Sequence, residues 1–272
     1  MRIASLALMF ALGLAACTDT PAPTASTGST LTSVPPTYQA RTDVGPNGEP
    51  VPIPAVNIAY LTERNRRQQV PYNGPEAPGT IVVDPYSRFL YHVMEGGQAM
   101  RYGVAVGKAG TGFSGSATIQ RKAAWPSWTP TANMVRTNPE LYGPVKNGLK
   151  GGLDNPLGSR ALYLYNGGKD TYYRIHGTMD PSSIGKATSA GCIRLFNQDI
   201  LDLFQQVPIG TAVRVRSPEE SRRYEGELVE SPEGYLTPVG GTVVHSAPTG
   251  AVAGDVAAAT TPSIVESAVP AG

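Results

Sequence analysis

Apolar and polar positions divide the chain into four stretches. Residues 3–16 are almost wholly apolar behind one basic residue, Arg2. From 18 to about 54, Thr, Pro, Ser and Gly dominate and large apolar side chains are few, which predicts a tether without a core of its own. Residues 55–69 have some helical character and lead into the third stretch, 79–216. There the pattern turns to short apolar runs between turn residues, which predicts strands over 80–84, 88–93, 99–107, 161–165, 172–175, 192–196 and 212–216. One helical period stands out, over 198–206. Ile200, Leu203, Phe204 and Val207 share a face, Asn197 precedes them as a cap, and Phe196 and Leu201 occupy the two positions of a hydrophobic staple. Residues 131–160 predict a long irregular connection, rich in Pro, Gly and Asn, and loops of that length are often functional. Residues 217–272 begin charged and become rich in Ala, Val, Pro, Thr and Gly, which predicts mostly disorder. The sum is a mainly β domain with a short helix behind its sixth strand.

The first stretch is too short to cross a bilayer, which takes about 20 apolar residues. It is a signal peptide over 1–16. Its end, Leu14-Ala15-Ala16-Cys17, resembles the bacterial lipobox. That resemblance implies cleavage before Cys17, acylation of Cys17, and a membrane anchor of more than one chain. The other possibility is ordinary cleavage nearby and a soluble periplasmic protein. Thr18, where a sorting Asp would retain the protein at the inner membrane, points to the outer one. The stretch behind the anchor, taken as coil, would span ~35 Å and let a domain reach polymer beside the membrane.

Overall charge names no partner: the net charge is +1 with 16% charged residues, so no nucleic acid is implied. The three histidines lack ligand spacing, and neither a metal nor a cofactor is expected. Two cysteines are present, and with Cys17 in the leader Cys192 has no internal disulfide partner. A lone cysteine can be a small buried hydrophobe. Here Gly191 precedes it, and His176-Gly177-Thr178 stands 16 positions upstream across a polar stretch with Pro181, Ser182, Ser183 and Gly185. That stretch can fold back and set the imidazole beside the thiol on neighbouring strands, and an imidazole is the base that activates a thiol near neutral pH.

Ser189, Gly191, Cys192, Arg194 and Asn197, with the His-Gly-Thr triplet at this spacing, resemble the signature of the L,D-transpeptidase catalytic family (YkuD-like domains). Trp125-Pro126-Ser127-Trp128-Thr129-Pro130 and Asn155-Pro156-Leu157-Gly158 match further markers, and the resemblance covers 79–216. It implies a mixed β-sheet or β-sandwich domain and acyl transfer on peptidoglycan stem peptides. Cys192 would be the nucleophile and His176 the proton acceptor and donor. Gly191 and Ala190 would supply backbone oxyanion donors, and Gly177 would orient His176. Arg194, Ser189 and Trp128 would contact substrate, although Arg194 could be a surface strand residue and Trp128 simple core. Ala190 departs from the family, which often has His there. The acceptor could be a second stem, a wall-attached protein, or water, which makes the enzyme a carboxypeptidase or hydrolase. A non-catalytic wall-binding lipoprotein is the competing class. A papain-like peptidase is disfavoured, since it places Cys near the mature N-terminus and His far downstream.

Overall fold

The structure is a computed structural model and describes residues 31–107, 113–189 and 191–239. In chain order the strands are β1 (Arg41–Val44), β2 (Pro50–Ile53), β3 (Gln68–Pro71), β4 (Ile81–Asp84), β5 (Phe89–Met94), β6 (Gln98–Gly103), β7 (Val106–Gly107) and β8 (Gly115–Ala124). They continue as β9 (Arg160–Asn166), β10 (Lys169–His176), β11 (Ala187–Ser189), β12 (Ile193–Arg194), β13 (Ala212–Val215), β14 (Leu228–Glu230) and β15 (Leu236–Pro238). The helices are α1 (Ala132–Thr137), α2 (Pro139–Tyr142), α3 (Asn197–Gln206) and α4 (Pro218–Glu225).

Nine strands form one mixed sheet in the order β12-β10-β9-β8-β13-β4-β5-β6-β3. Pairs β10/β12 and β13/β4 are parallel; the others are antiparallel. The mainly β class and mixed sheet are those expected from the sequence. One face is the core: Ile81, Val83, Leu90, Ile119, Leu162, Leu164, Val213 and Val215 cluster with Ile200 and Leu203 of α3 and with Val207 just past its end. Each such aliphatic side chain contributes roughly 1.5–3 kcal/mol by leaving water. The apolar face read at helical spacing is therefore the face that seals the sheet behind β10 and β12.

Four expectations give way. The strand predicted over 99–107 breaks at Val104. There the chain leaves the sheet, Ala105 exchanges two 2.9 Å backbone hydrogen bonds with Arg194, and β7 pairs in parallel with β11. Period-2 patterning cannot show a strand changing partners. The irregular connection 131–160 contains α1 and α2, capped by Thr131 and Asn138, with Pro139 at the first helical position. Those capping signals are in the sequence, but neither helix is long enough to show a period.

The lead-in is not a free tether over its described part. Residues 55–69 form a single 3₁₀ turn, Ile58–Tyr60, before β3 adds to the sheet edge. Tyr38, Val56 and Leu61 are buried with Ala105, Ile184 and Phe196, and Ile53 packs on Trp125 and Leu201. The segment has no core of its own, as its composition implies, but places its few large side chains in the domain's surface. The tail expected over 217–272 is likewise folded as far as 239. Ser217 and Glu220 form a capping box on α4, buried Arg216 pairs with Asp84 at 3.2 Å and Glu225 at 3.1 Å, and Arg88 reaches Glu230 at 2.8 Å. Its charges have partners, which composition alone does not reveal. The leader, Cys17 and residues 240–272 lie outside the described residues.

Candidate active site

Strand β10 ends at His176, and β12 lies alongside it with Ile175 opposite Ile193 and His176 opposite Arg194. Ile175 and Ile193 point into the core. Side chains alternate along a strand, so His176, Arg174 and Arg194 share the opposite face. Cys192 immediately precedes β12, and the same register continued back one residue would set it beside Arg174. The face thus carries two rows across the strands: Ala161, His176 and Arg194 in one, and Tyr163 and Arg174 in the other, which the continued register would extend to Cys192. On that register His176 and Cys192 would be diagonal neighbours.

The imidazole is held by its own backbone. Nδ1–H donates to the Gly177 carbonyl at 2.6 Å, which assigns the proton to Nδ1 and leaves Nε2 as the acceptor. Nε2 is buried with no hydrogen-bond partner among the described residues. His176 is completely buried. Burial, then the nearby Arg194 and Arg174 guanidinium groups, push its pKa down to about 3, with the Gly177 and Leu157 backbone carbonyls opposing. The resting imidazole is therefore neutral, able to take a proton as a thiol begins to attack.

Asn197 holds the two chain segments that frame this histidine. It is the first residue of α3 rather than its cap; Phe196 is the cap, without a side-chain capping bond. The Asn197 amide instead donates to the Thr178 carbonyl at 2.8 Å, and its Oδ1 accepts from Ser159 N–H at 3.0 Å. A Cβ on Gly177 would stand against that Oδ1, and one on Gly158 would come within 2.5 Å of it. The glycines of the His-Gly-Thr and Asn-Pro-Leu-Gly motifs are thus both required by one asparagine packed between them. Asn155 closes the second motif, donating to the Pro126 and Lys150 carbonyls at 3.0 Å each.

Cys192 is half-buried at the end of a tight turn. Gly191 has φ +126°, a conformation that glycine alone adopts without strain. Ser189 Oγ–H donates to the Cys192 carbonyl at 2.6 Å and Oγ accepts from Gly191 N–H at 3.2 Å. Expected to touch substrate, this hydroxyl is instead occupied by the backbone around Cys192. Ala190 lies outside the described residues. Arg194 is 7% exposed, so it is not the surface strand arginine that was the alternative. Trp128 is corrected to the core: it is 8% exposed, packed with Met134, Tyr142 and Leu157 under the long connection, where its backbone bridges Leu149. Of the two remaining histidines, His92 sits in β5, six strands from β12, and His245 lies outside the described residues.

Sequence reading missed Tyr173 and Arg174. Tyr173 packs on Phe113 with ring centroids 5.8 Å apart at the border of the core, and burial raises its pKa while a backbone hydrogen bond at Phe113 opposes. Arg174 grips Asp170 through two hydrogen bonds of 2.7 and 2.8 Å. The signal was available: the strand that delivers His176 places residue 174 on the same face.

Comparison with known proteins identifies the family. The family model for the YkuD L,D-transpeptidase catalytic domain matches residues 78–215. A Fuscovulum blasticum protein of the ATP synthase subunits region, described as an L,D-transpeptidase, is 40% identical over 137 residues, covering 50% of this chain and 68% of its own length. The Escherichia coli K12 L,D-transpeptidase YbiS is 36% identical over 137 residues, covering 49% of this chain but 43% of YbiS. A solved Brucella melitensis structure, described as a carnitine operon oxidoreductase, is 52% identical, covering 56% of this chain and 94% of that one, with a TM-score of 0.40 that supports no argument. With a family model matched across half its length and a relative, 40% identical, of whose length it covers more than two thirds, the chain belongs to the L,D-transpeptidase catalytic-domain family and carries that enzyme's catalytic domain.

Proposed function

We propose that this protein is a peptidoglycan L,D-transpeptidase working through a thioester on Cys192. The observation that carries the proposal is the fixed tautomer of His176, whose unprotonated Nε2 is buried on the face that holds the thiol. The thiol gives its proton to Nε2 as sulfur attacks the stem-peptide carbonyl before the terminal D-Ala. The oxyanion takes backbone N–H groups of the 190–192 turn, Gly191 exchanging its long bond to Ser189 for a shorter, charge-assisted one. The imidazolium protonates the departing amine, and the thioester remains. A side-chain amine of another stem, or of a wall-attached protein, then attacks with its proton passing to Nε2, and the thiol is regenerated. Water in that place gives an L,D-carboxypeptidase. Arg194 supplies positive charge beside both groups, which favours the thiolate and attracts a substrate carboxylate.

The test is incubation of the purified domain with defined tetrapeptide muropeptides, read by mass spectrometry. Transfer gives a cross-linked product with loss of the terminal residue; hydrolysis gives the trimmed stem alone. Retention without mass change is the result expected of a wall-binding protein and would remove the enzymatic reading.

We further place the protein in the cell envelope as a lipoprotein, more readily at the outer membrane than the inner, on the strength of Leu14-Ala15-Ala16-Cys17 and Thr18. Cys17→Ser in the full-length protein is expected to move it from the detergent to the aqueous phase. Unchanged partitioning would remove the anchor.

A further inference from the structure

The row through Cys192 continues beyond the residues used so far. Arg174 faces Tyr163 on β9, and Tyr163 faces Arg121 on β8. Leu162 and Ile175, the neighbours that point the other way, lie in the core, which fixes Tyr163, Arg174 and Arg121 on the catalytic face. Lys122, next to Arg121, confirms the alternation: its ammonium donates to the Phe204 and Val207 carbonyls on the side covered by α3. The Tyr163 ring carries a guanidinium at 4.3 Å from Arg121 and another at 4.4 Å from Arg174.

The two arginines differ in what else holds them. Arg174 is neutralised by Asp170. Arg121 is exposed and makes no ion pair or hydrogen bond to any described residue, so the ring contact is what fixes its direction. A guanidinium held by a ring, open to solvent and lacking a carboxylate, is suited to bind one bidentately. Strands in a sheet stand about 4.8 Å apart, so Arg121 lies three spacings, about 14 Å, from the row position of the thiol. An extended peptide advances ~3.3–3.6 Å per residue, so about four residues cover that distance.

We infer that Arg121, set on Tyr163 and Arg174, is a subsite for a carboxylate carried by the donor peptide upstream of the bond that Cys192 attacks. The donor then lies across strands β12, β10, β9 and β8, with its reacting carbonyl at one end of the row and an anionic group at the other. Arg121 is a specificity residue: it holds substrate but exchanges no proton with it. The inference rests on the transpeptidase reading for the identity of the donor, while the geometry of the row stands without it.

The test separates the two. A tetrapeptide stem and the same peptide with its upstream carboxylates converted to carboxamides are titrated calorimetrically into the full chain carrying Cys192→Ala. Arg121→Gln and Arg121→Lys are compared in that background, and turnover is followed with Cys192 present. The acid peptide is expected to bind about tenfold tighter than the amide, and Arg121→Gln to raise its Kd about tenfold while leaving the amide unmoved. Arg121→Lys, which keeps the charge, is expected to recover part of the preference, and added salt to erode it. An undiminished acid preference in Arg121→Gln overturns the subsite. Binding that follows this pattern without turnover of either peptide by the Cys192 enzyme overturns the transfer reading and leaves the subsite standing. Failure of the stem to bind at all overturns both.

Discussion

Cys192→Ala is expected to abolish release of the terminal D-Ala from a tetrapeptide stem, and to abolish the covalent adduct that a carbapenem forms with the wild-type domain. The argument is one of chemistry. Among the described residues Cys192 is the only thiol, and it shares a sheet face with a histidine whose accepting nitrogen is buried there. Serine hydroxyls of the same loop are occupied elsewhere: Ser182 Oγ donates to Asp180 Oδ1 at 2.6 Å, Ser183 Oγ to the Asp180 carbonyl at 2.7 Å, and Ser189 Oγ to the Cys192 carbonyl. None is placed to take over the attack, so residual activity should fall to background rather than by a modest factor. Intact-mass measurement after carbapenem treatment checks this directly. An adduct on the Ala variant would assign the nucleophile to another residue. The substitution removes one sulfur from a half-buried site, so the variant should fold, and a thermal melt within a few degrees of wild type would establish that the loss is chemical.

What the sequence made legible follows from what its signals encode. Strands β4, β5, β6, β9, β10 and β13 were readable because half-buried strands alternate and turns carry Gly, Asp and Pro, whereas β8, the longest of the sheet, was not among the predicted runs. Two glycines of the candidate site were readable for a local reason: Gly177 leaves room for Asn197 Oδ1, and Gly191 takes φ +126° just before Cys192. Asn197 was misread as a cap because the identity of a residue at a helix start does not reveal where its side chain turns. It reaches instead to Ser159 and Thr178, 38 and 19 positions away. Trp128 was ambiguous because a large aromatic beside prolines suits both a cleft wall and a small core.

The largest misjudgement was of the flanks. Residues 31–72 and 217–239 have compositions that cannot build a core, and they build none; they complete one. Tyr38 shows how. Its ring meets Phe196 edge-on at 5.6 Å, and its hydroxyl donates at 3.2 Å to Asp199, in the first turn of α3. Arg67 approaches the same carboxylate at 3.8 Å. The flank thereby fixes the start of the helix that carries Asn197, and Asn197 fixes the loop after His176. Burial pushes Asp199 up to about 7, with Arg67 opposing. Because its ordinary value is 3.8, the native state binds the extra proton across the window between, and this contribution to stability is lost as pH rises from about 4 to 7.

His176→Ala is expected to slow single-turnover acylation by about 10²–10⁴, the range for losing a general acid–base, while Ala190→His should change it by no more than about tenfold, or ~1.4 kcal/mol of barrier. The difference follows from what each position supplies. Position 176 carries the only imidazole on the catalytic face among the described residues, with its tautomer set by the Gly177 carbonyl. In the proposed mechanism position 190 would contribute only a backbone donor, which Ala provides as well as His. The pH profile gives a second check. With its pKa down to about 3, the resting imidazole stays neutral through the range where an ordinary histidine, at 6.5, would gain a proton. Wild-type acylation should therefore show no histidine titration between pH 7 and 5. The same shift acts on stability with the opposite slope to Asp199. The unfolded chain takes up a proton near 6.5 that the native state refuses, so the native state loses stability as pH falls from 6.5 towards 3. Between about 4 and 6.5 the two residues offset one another, and each single replacement, His176→Ala or Asp199→Asn, should expose the slope of the other in denaturant midpoints. A large gain from Ala190→His beside a mild loss from His176→Ala would reverse these roles and favour a wall-binding protein over an enzyme.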